Sequence, residues 1–332
     1  MTTRRFFLAL QALASPGVLL LAQKTAPASA VDLLQQFRFE SKPWPNLHHF
    51  LYVLARWRNN TPDRFRVAVR QAPLDVAGLD GLPVADRSAW DAGIAAYQVH
   101  AAPLDISYGK LVDVNYALAD LPAAAALDAA KDIPLEIRNA LDKAGPVYRK
   151  LWWPRHDAGN HAWIDQLRPQ VEQYGPRLAA QLAAAFQHPW PVAPLRVEVV
   201  AYAQWAGAYT TGDPPLITMS SLNEEHQGSD GLEQLFHECS HLMMGTVDAR
   251  LRSHVPAISD DLLRDVSHTI LFYTAGEIMQ RTVAGHVPYA IHYKVWQRRW
   301  TRNFELLKQY WQPYLDGHAT MDEAIDHIVR AL

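Results

Sequence analysis

The residues with the clearest chemical potential are His237-Glu238-Cys239-Ser240-His241, two histidines four positions apart with a glutamate directly after the first. In an α-helix, residues four apart lie on the same face, so both imidazoles would point the same way. Glu238 would lie beside that face, where it can take a proton from water that a metal polarises. The pattern predicts one hydrolytic Zn²⁺ site per chain, with His237 and His241 as ligands and Glu238 as the general base.

The surroundings of the motif favour a buried helix. Leu235-Phe236 and Leu242-Met243 flank it with apolar residues, as a catalytic helix inside the protein needs. Asp230 and Glu233 have the spacing of a capping box, which predicts that the helix begins near Asp230. The alternative is a surface helix with two solvated histidines, which the apolar flanks disfavour.

A third ligand is required, because catalytic zinc sites use three protein ligands and leave one position for water. Glu277 is the strongest candidate, since it falls on the apolar side of a long helical pattern, where an unpaired carboxylate is costly. Its alternative role is an ion pair with Arg281, one turn further on. The other candidates for the third ligand are Asp261, Asp265 and His268.

The first 30 residues have the pattern of a cleavable export signal. Arg4-Arg5 precede an interrupted apolar run, and Ala28-Ser29-Ala30 supplies a small-residue cleavage pattern. The arginine pair is similar to a twin-arginine signal, and an ordinary secretory signal is the alternative. The run is too short and interrupted for a membrane span, and no cysteine follows it that could carry a lipid. The sequence predicts a protein exported to the periplasm or secreted, with no stable membrane anchor after cleavage.

Composition excludes several classes of partner. Removal of residues 1–30 leaves 28 basic against 34 acidic residues, a net charge of −6 with neutral histidines. Such a chain has no electrostatic footprint for nucleic acid or an anionic membrane. Its one cysteine, Cys239, forms no internal disulfide, and an inert packed thiol is a simpler interpretation than a reactive one.

Two regions follow the signal segment. Residues 31–193 are expected to be mostly helical, with helices at 47–58, 121–131 and 178–186 and prolines between the helices. Residues 194–332 would form the catalytic domain, with strands at 195–202, 208–211 and 216–221, the motif helix, and three further helices from residue 259. The predicted fold class is α+β, predominantly helical, with a small antiparallel or mixed sheet before the motif helix.

The motif, Glu277 on the next long helix and the preceding strand 216–221 together resemble the gluzincin group of zinc metallopeptidases, over about residues 195–285. The resemblance implies a zincin-like fold with an edge strand beside the cleft. It also implies His237, His241 and Glu277 as ligands, Glu238 as general base, and a peptide or protein as substrate.

Zinc chemistry of this kind also needs a donor for the oxyanion that forms during attack on a carbonyl. Four candidates follow the helix that contains Glu277, and the sequence does not choose among them: His286, Tyr289, His292 and Tyr293. A second metal site at His156 and His161 is disfavoured, because no helical spacing accompanies it. Two other functions stay open: a catalytically silent zinc-binding protein, and a zinc hydrolase of a non-peptide amide or ester.

Overall fold

A computed structural model describes residues 33–59, 79, 81–130, 132–192 and 194–332. Helices dominate this part of the chain, and one four-stranded mixed sheet accompanies them, so the predominantly helical α+β prediction is confirmed. The predicted signal segment, residues 1–30, lies outside the described residues. None of the helices in the described ranges has the length and apolar character that a membrane crossing requires.

The region before the main strands is helical, as predicted. Its helices are α1 (Leu33–Gln36), α2 (Pro43–Arg58), α3 (Val84–His100), α4 (Lys110–Asp120), α5 (Leu135–Leu151) and α6 (Trp153–Phe186). The helices expected at 47–58 and 178–186 are present within α2 and α6. The helix expected at 121–131 is wrong, because Pro122 keeps Leu121 in an extended conformation and only a 3₁₀ turn, Leu127–Ala129, follows. Some prolines also lie inside helices, such as Pro146 in α5.

The C-terminal region contains more helices than the three expected after residue 259. Those from the motif onward are α7 (Gly228–Ser240), α8 (Gly245–His254), α9 (Asp260–Thr282), α10 (Tyr289–His292), α11 (Val295–Arg299), α12 (Thr301–Leu306), α13 (Gln312–Leu315) and α14 (Met321–Ala331). A π-helical turn, Leu307–Trp311, joins α12 to α13. Ser259 caps α9 by accepting a hydrogen bond from the Leu262 amide.

The sheet has the strand order β1-β2-β4-β3, formed by β1 (Phe37–Glu40), β2 (Leu195–Val200), β3 (Ala208–Thr211) and β4 (Leu216–Ser220). The three strands expected between 195 and 221 are confirmed. Strand β1 was not predicted, because four residues give too short an alternation to recognise. It pairs in parallel with β2, so residues from both sides of the expected boundary at 193 build one sheet. Strand β3 is one of the two edge strands and runs antiparallel to β4.

The two faces of the sheet contact different hydrophobic cores. Val197, Val199, Ile217 and Met219 pack with α6, α7 and α9 in one core. The other core is built by α2 to α5 and includes Tyr209 of β3. Alternate residues of β3 therefore face opposite ways, and this places Ala208 and Thr210 on the side of the motif helix.

Glu198 is an ionisable residue inside this sheet, only 2% exposed, with Lys42 Nζ 3.5 Å from its carboxyl. Burial raises the pKa of Glu198 to about 8, and Lys42 offsets only part of that effect. The folded chain therefore keeps a proton that the unfolded chain releases above about pH 4.5. This carboxyl lowers the free energy of unfolding as the pH rises from about 4.5 to about 8.

Glu198→Gln should therefore stabilise the protein at pH 8 and have little effect at pH 4. The expected gain at pH 8 is a few kcal/mol, since each pKa unit corresponds to about 1.4 kcal/mol. Urea unfolding at the two pH values measures it, with exposed Glu172→Gln as the control. An equal change at both pH values would contradict a raised pKa for Glu198.

Candidate metal centre

Helix α7 contains and buries the first four residues of the motif, His237 to Ser240. Of the predicted apolar frame, Leu235, Phe236 and Met243 are fully buried in the core with the sheet and α9, and Leu242 is half-buried, so the frame is confirmed. The predicted capping box is wrong: Gln227 is the N-cap, and the Glu233 carboxylate binds elsewhere. Helix α7 ends at Ser240, and His241 begins a 3₁₀ turn, His241–Met243.

A third histidine, His268 of α9, completes a cluster with His237 and His241. One ring nitrogen from each of the three lies within 4.8 Å of the others. His237 is buried, whereas the His241 side chain is 36% exposed, so the cluster is open to solvent on the His241 side. In the part of the chain that the structure describes, this is the one group of three or more metal-ligating side chains at such distances.

The spacing of one pair of nitrogens matches that expected around a tetrahedral metal ion. His237 Nε2 and His268 Nε2 are 3.4 Å apart. Two imidazole nitrogens at about 2.0–2.1 Å from one Zn²⁺, with a tetrahedral angle between them, would be about 3.3–3.4 Å apart. Three neutral imidazoles leave the full charge of the metal uncompensated, which favours polarisation of a fourth ligand.

Glu277, the expected third ligand, is not in this cluster. It lies nine residues after His268 on α9, and nine residues are two and a half helical turns, so it points to the opposite side. Its carboxylate is 3.6 Å from Arg281, the alternative partner that the sequence suggested. The other two candidates also pair with arginines, Asp261 with Arg264 and Asp265 with Arg299.

Aromatic rings hold the histidines in place. The Phe272 ring centroid lies 4.1 Å from that of His237, and the edge of Trp300 packs on His268 at 5.6 Å. His237 Nδ1 is buried without a hydrogen-bond partner among the described residues. The orientation of His237 is therefore set by packing against Phe272 and the other two imidazoles, and no carboxylate or carbonyl of the described residues assists it.

Glu238 lies beside the cluster, as the motif predicts. Its Oε2 atom is 4.0 Å from His241 Nε2 and accepts a hydrogen bond of 2.7 Å from Thr210 Oγ1. Burial raises the pKa of Glu238 to about 7, although the Thr210 hydrogen bond favours the ionised form. A carboxyl with a pKa near neutrality is well suited to accept and return a proton at physiological pH.

Burial has the opposite effect on the histidines, because it disfavours their charged form. It lowers the pKa of His268 to about 3 and holds the pKa of His237 well below its usual range. The pKa of the partly exposed His241 is lowered to about 4, because most of its side chain is covered. All three imidazoles are therefore neutral at pH 7, which is the form that binds a metal.

Proton competition at the three imidazoles should consequently leave zinc affinity unaffected as the pH falls from about 8 to about 5, and lower it only near pH 4. Ordinary histidines, with a pKa of about 6.5, would begin to lose zinc to protons below that value. Competition with a chromophoric chelator across the pH range measures the affinity, and far-ultraviolet circular dichroism controls for unfolding. Three ordinary imidazoles would together cost well over tenfold in affinity per pH unit below about pH 6.5, and a loss of that steepness would contradict the lowered pKa values.

The four candidate oxyanion donors are all hydrogen-bonded to acidic residues. His286 Nε2 lies 2.6 Å from the buried Glu233 carboxylate, and His286 Nδ1 lies 2.9 Å from Ser229 Oγ. The Tyr289 hydroxyl donates to Glu225. Tyr293 and His292 both bind Asp230, through contacts of 2.9 and 3.1 Å. The structure places none of the four in the histidine cluster.

The structure also shows the surroundings of His156, His161 and Cys239. His156 is buried and bonds the Tyr148 hydroxyl at 3.0 Å, whereas His161 is exposed and pairs with Asp157. The two histidines form no metal-ligating group within the described residues. Cys239 is fully buried, and burial raises the pKa of its thiol, so it has the character of an inert packed side chain.

Comparisons with protein-family models, with curated protein sequences and with solved structures each found no match to this chain.

Proposed function

We propose that the protein is a zinc-dependent hydrolase that cleaves peptide bonds. The observation that carries this proposal is the convergence of His237, His241 and His268 at metal-binding distance, with Glu238 beside them. Three neutral imidazoles around one position are the donor set of a catalytic zinc site, which leaves a fourth position for water or substrate. Zinc and the general base Glu238 are those expected from the motif, and we propose His268 in place of Glu277 as the third metal ligand.

A bound Zn²⁺ would supply Lewis-acid chemistry, polarising a water molecule and the carbonyl under attack. The chain's own contribution is to hold the three nitrogens in place and to move protons. Glu238 Oε2, buried and fixed by Thr210, would accept the proton of the attacking water. The protonated Glu238 would then give that proton to the leaving amine, which restores the carboxylate.

An extended peptide is the substrate class that we infer from the neighbouring strand. Strand β3 is at the edge of the sheet, and its Thr210 contacts Glu238 directly. Edge strands can bind extended peptides through main-chain hydrogen bonds, with side chains pointing alternately to either side. A peptide aligned on β3 would pass beside the general base. We also propose export, on the pattern of residues 1–30.

The test is to purify the chain, determine its zinc content, and assay hydrolysis of a diverse peptide library by mass spectrometry. We expect stoichiometric zinc and cleavage that stops with a chelator and returns with added Zn²⁺. Zinc without cleavage of any peptide would overturn the peptidase proposal in favour of a silent zinc-binding protein. Cleavage confined to ester or non-peptide amide substrates would favour the other alternative.

A further inference from the structure

Thr210 is the side chain that contacts the carboxylate of Glu238 most closely. Its Oγ1 lies 2.7 Å from Glu238 Oε2 and 2.9 Å from the main-chain oxygen of the same residue. Among the described residues, it is the one side chain that forms a hydrogen bond to this carboxylate. The His241 Nε2 atom lies 4.0 Å from the same carboxylate.

We propose that Thr210 is a positioning residue that orients Glu238 for proton transfer. This inference rests on the proposed function, because it assigns Thr210 a role in the same reaction. The hydroxyl fixes Oε2 on the side of the edge strand, and the carboxylate therefore cannot rotate freely about its last torsion. Productive geometry for a general base requires its oxygen within hydrogen-bond reach of the proton it removes.

The sheet explains why Thr210 can hold this position. Thr210 pairs with Ile217 of β4, so its backbone is fixed by the sheet. A β-branched side chain in a strand has few χ1 rotamers, which limits where its hydroxyl can lie. The main-chain oxygen of Glu238 is one of the last four carbonyl oxygens of α7, which have no amide donor within the helix. The Thr210 hydroxyl has one proton, which lies within reach of both the carboxylate and the main-chain oxygen of Glu238, so this hydroxyl links Glu238 to β3.

The neighbouring Thr211 provides a matched control on the same strand. Thr211 is buried, whereas Thr210 is half-buried, and Thr211 points to the opposite face, where its hydroxyl lies 3.2 Å from the Leu216 carbonyl. Thr210→Val and Thr211→Val each exchange one hydroxyl for a methyl group with little change in shape. Thr210→Ser keeps the hydroxyl, and Thr210→Ala is a second variant without it.

We expect Thr210→Val and Thr210→Ala to lower kcat about 10- to 100-fold, the usual effect of losing a hydrogen bond to a charged group. KM and zinc content should stay close to the wild-type values, and Thr210→Ser and Thr211→Val should keep most of the activity. Binding of acetohydroxamate to the zinc-loaded protein, measured by calorimetry, gives a readout other than turnover. The hydroxyl group of acetohydroxamate would donate its proton to the Glu238 carboxylate, so Thr210→Val and Glu238→Gln should both weaken its binding.

If Thr210→Val has the same kcat and hydroxamate affinity as the wild type, the positioning role is overturned. The proposed function still stands in that case, as long as hydrolysis by the wild type depends on Glu238. Equal losses in Thr210→Val and Thr211→Val would also overturn the positioning role, because they would indicate a general weakening of β3. A wild-type protein whose hydrolysis does not depend on Glu238 is a different result. That result contradicts the proposed function itself, and the positioning role with it.

Discussion

Glu238→Gln is expected to reduce peptide hydrolysis about 10²- to 10⁴-fold and to leave zinc bound, because a glutamine cannot accept the proton of water. The glutamine retains the shape of the side chain, and its amide can still contact Thr210 Oγ1, so the fold should be preserved. Steady-state kinetics on a cleaved peptide, with zinc content measured on the same samples, checks both parts.

Glu305→Gln is the control for this variant, since Glu305 is an exposed residue that pairs with Lys308 on the surface. It should hydrolyse peptides as the wild type does. Full activity in Glu238→Gln with zinc retained would remove Glu238 from the mechanism. Simultaneous loss of zinc and activity would instead show that Glu238 supports the metal site, which contradicts its role as a base outside the ligand set.

His268→Ala is expected to lower zinc affinity more than about 100-fold, whereas Glu277→Ala should bind zinc as the wild type does. Loss of a group that only orients a ligand already costs about 10- to 100-fold in metal affinity, and His268 supplies a ligand atom itself. Glu277 lies on the other side of α9 and pairs with Arg281. Zinc titration in the presence of a competing chelator measures both variants.

The comparison separates the two candidates for the third ligand. His286→Ala is a further control, because it removes a buried histidine that binds Glu233 and is outside the cluster. Zinc loss in Glu277→Ala but not in His268→Ala would require α9 to turn by half a revolution from its position in the structure. That outcome would overturn the histidine cluster as the metal site.

The local part of the site could be predicted from the sequence, because a spacing of four on a helix fixes the relation of His237 to His241. The third ligand could not, because it depends on how α9 is rotated against α7. Glu277 was chosen for its apolar neighbours on one side of the helix, yet the space beside it contains Arg281 and Asp316. Nothing in the local sequence marks His268 as a ligand. Only the structure shows that it lies one turn before Phe272, whose ring packs on His237.

In the sheet, too, the local sequence predicts some strands, whereas another can be identified only from its tertiary contacts. The strands between 195 and 221 have alternating or apolar patterns and turn residues between them, and their positions followed from these features. Strand β1 comes from more than 150 residues earlier in the chain, and only its pairing with β2 identifies it. Likewise, nothing local to Ala208–Thr211 indicates that Thr210 would contact Glu238, because that contact joins β3 to α7.

The most direct test of the metal centre is a crystal structure of the zinc-loaded protein with anomalous diffraction measured at the zinc edge. We predict one strong anomalous peak per chain, about 2.0–2.1 Å from a ring nitrogen of His237, of His241 and of His268. A peak beside Glu277, or a protein that retains no zinc at neutral pH, would contradict the assignment of these three histidines as the metal ligands.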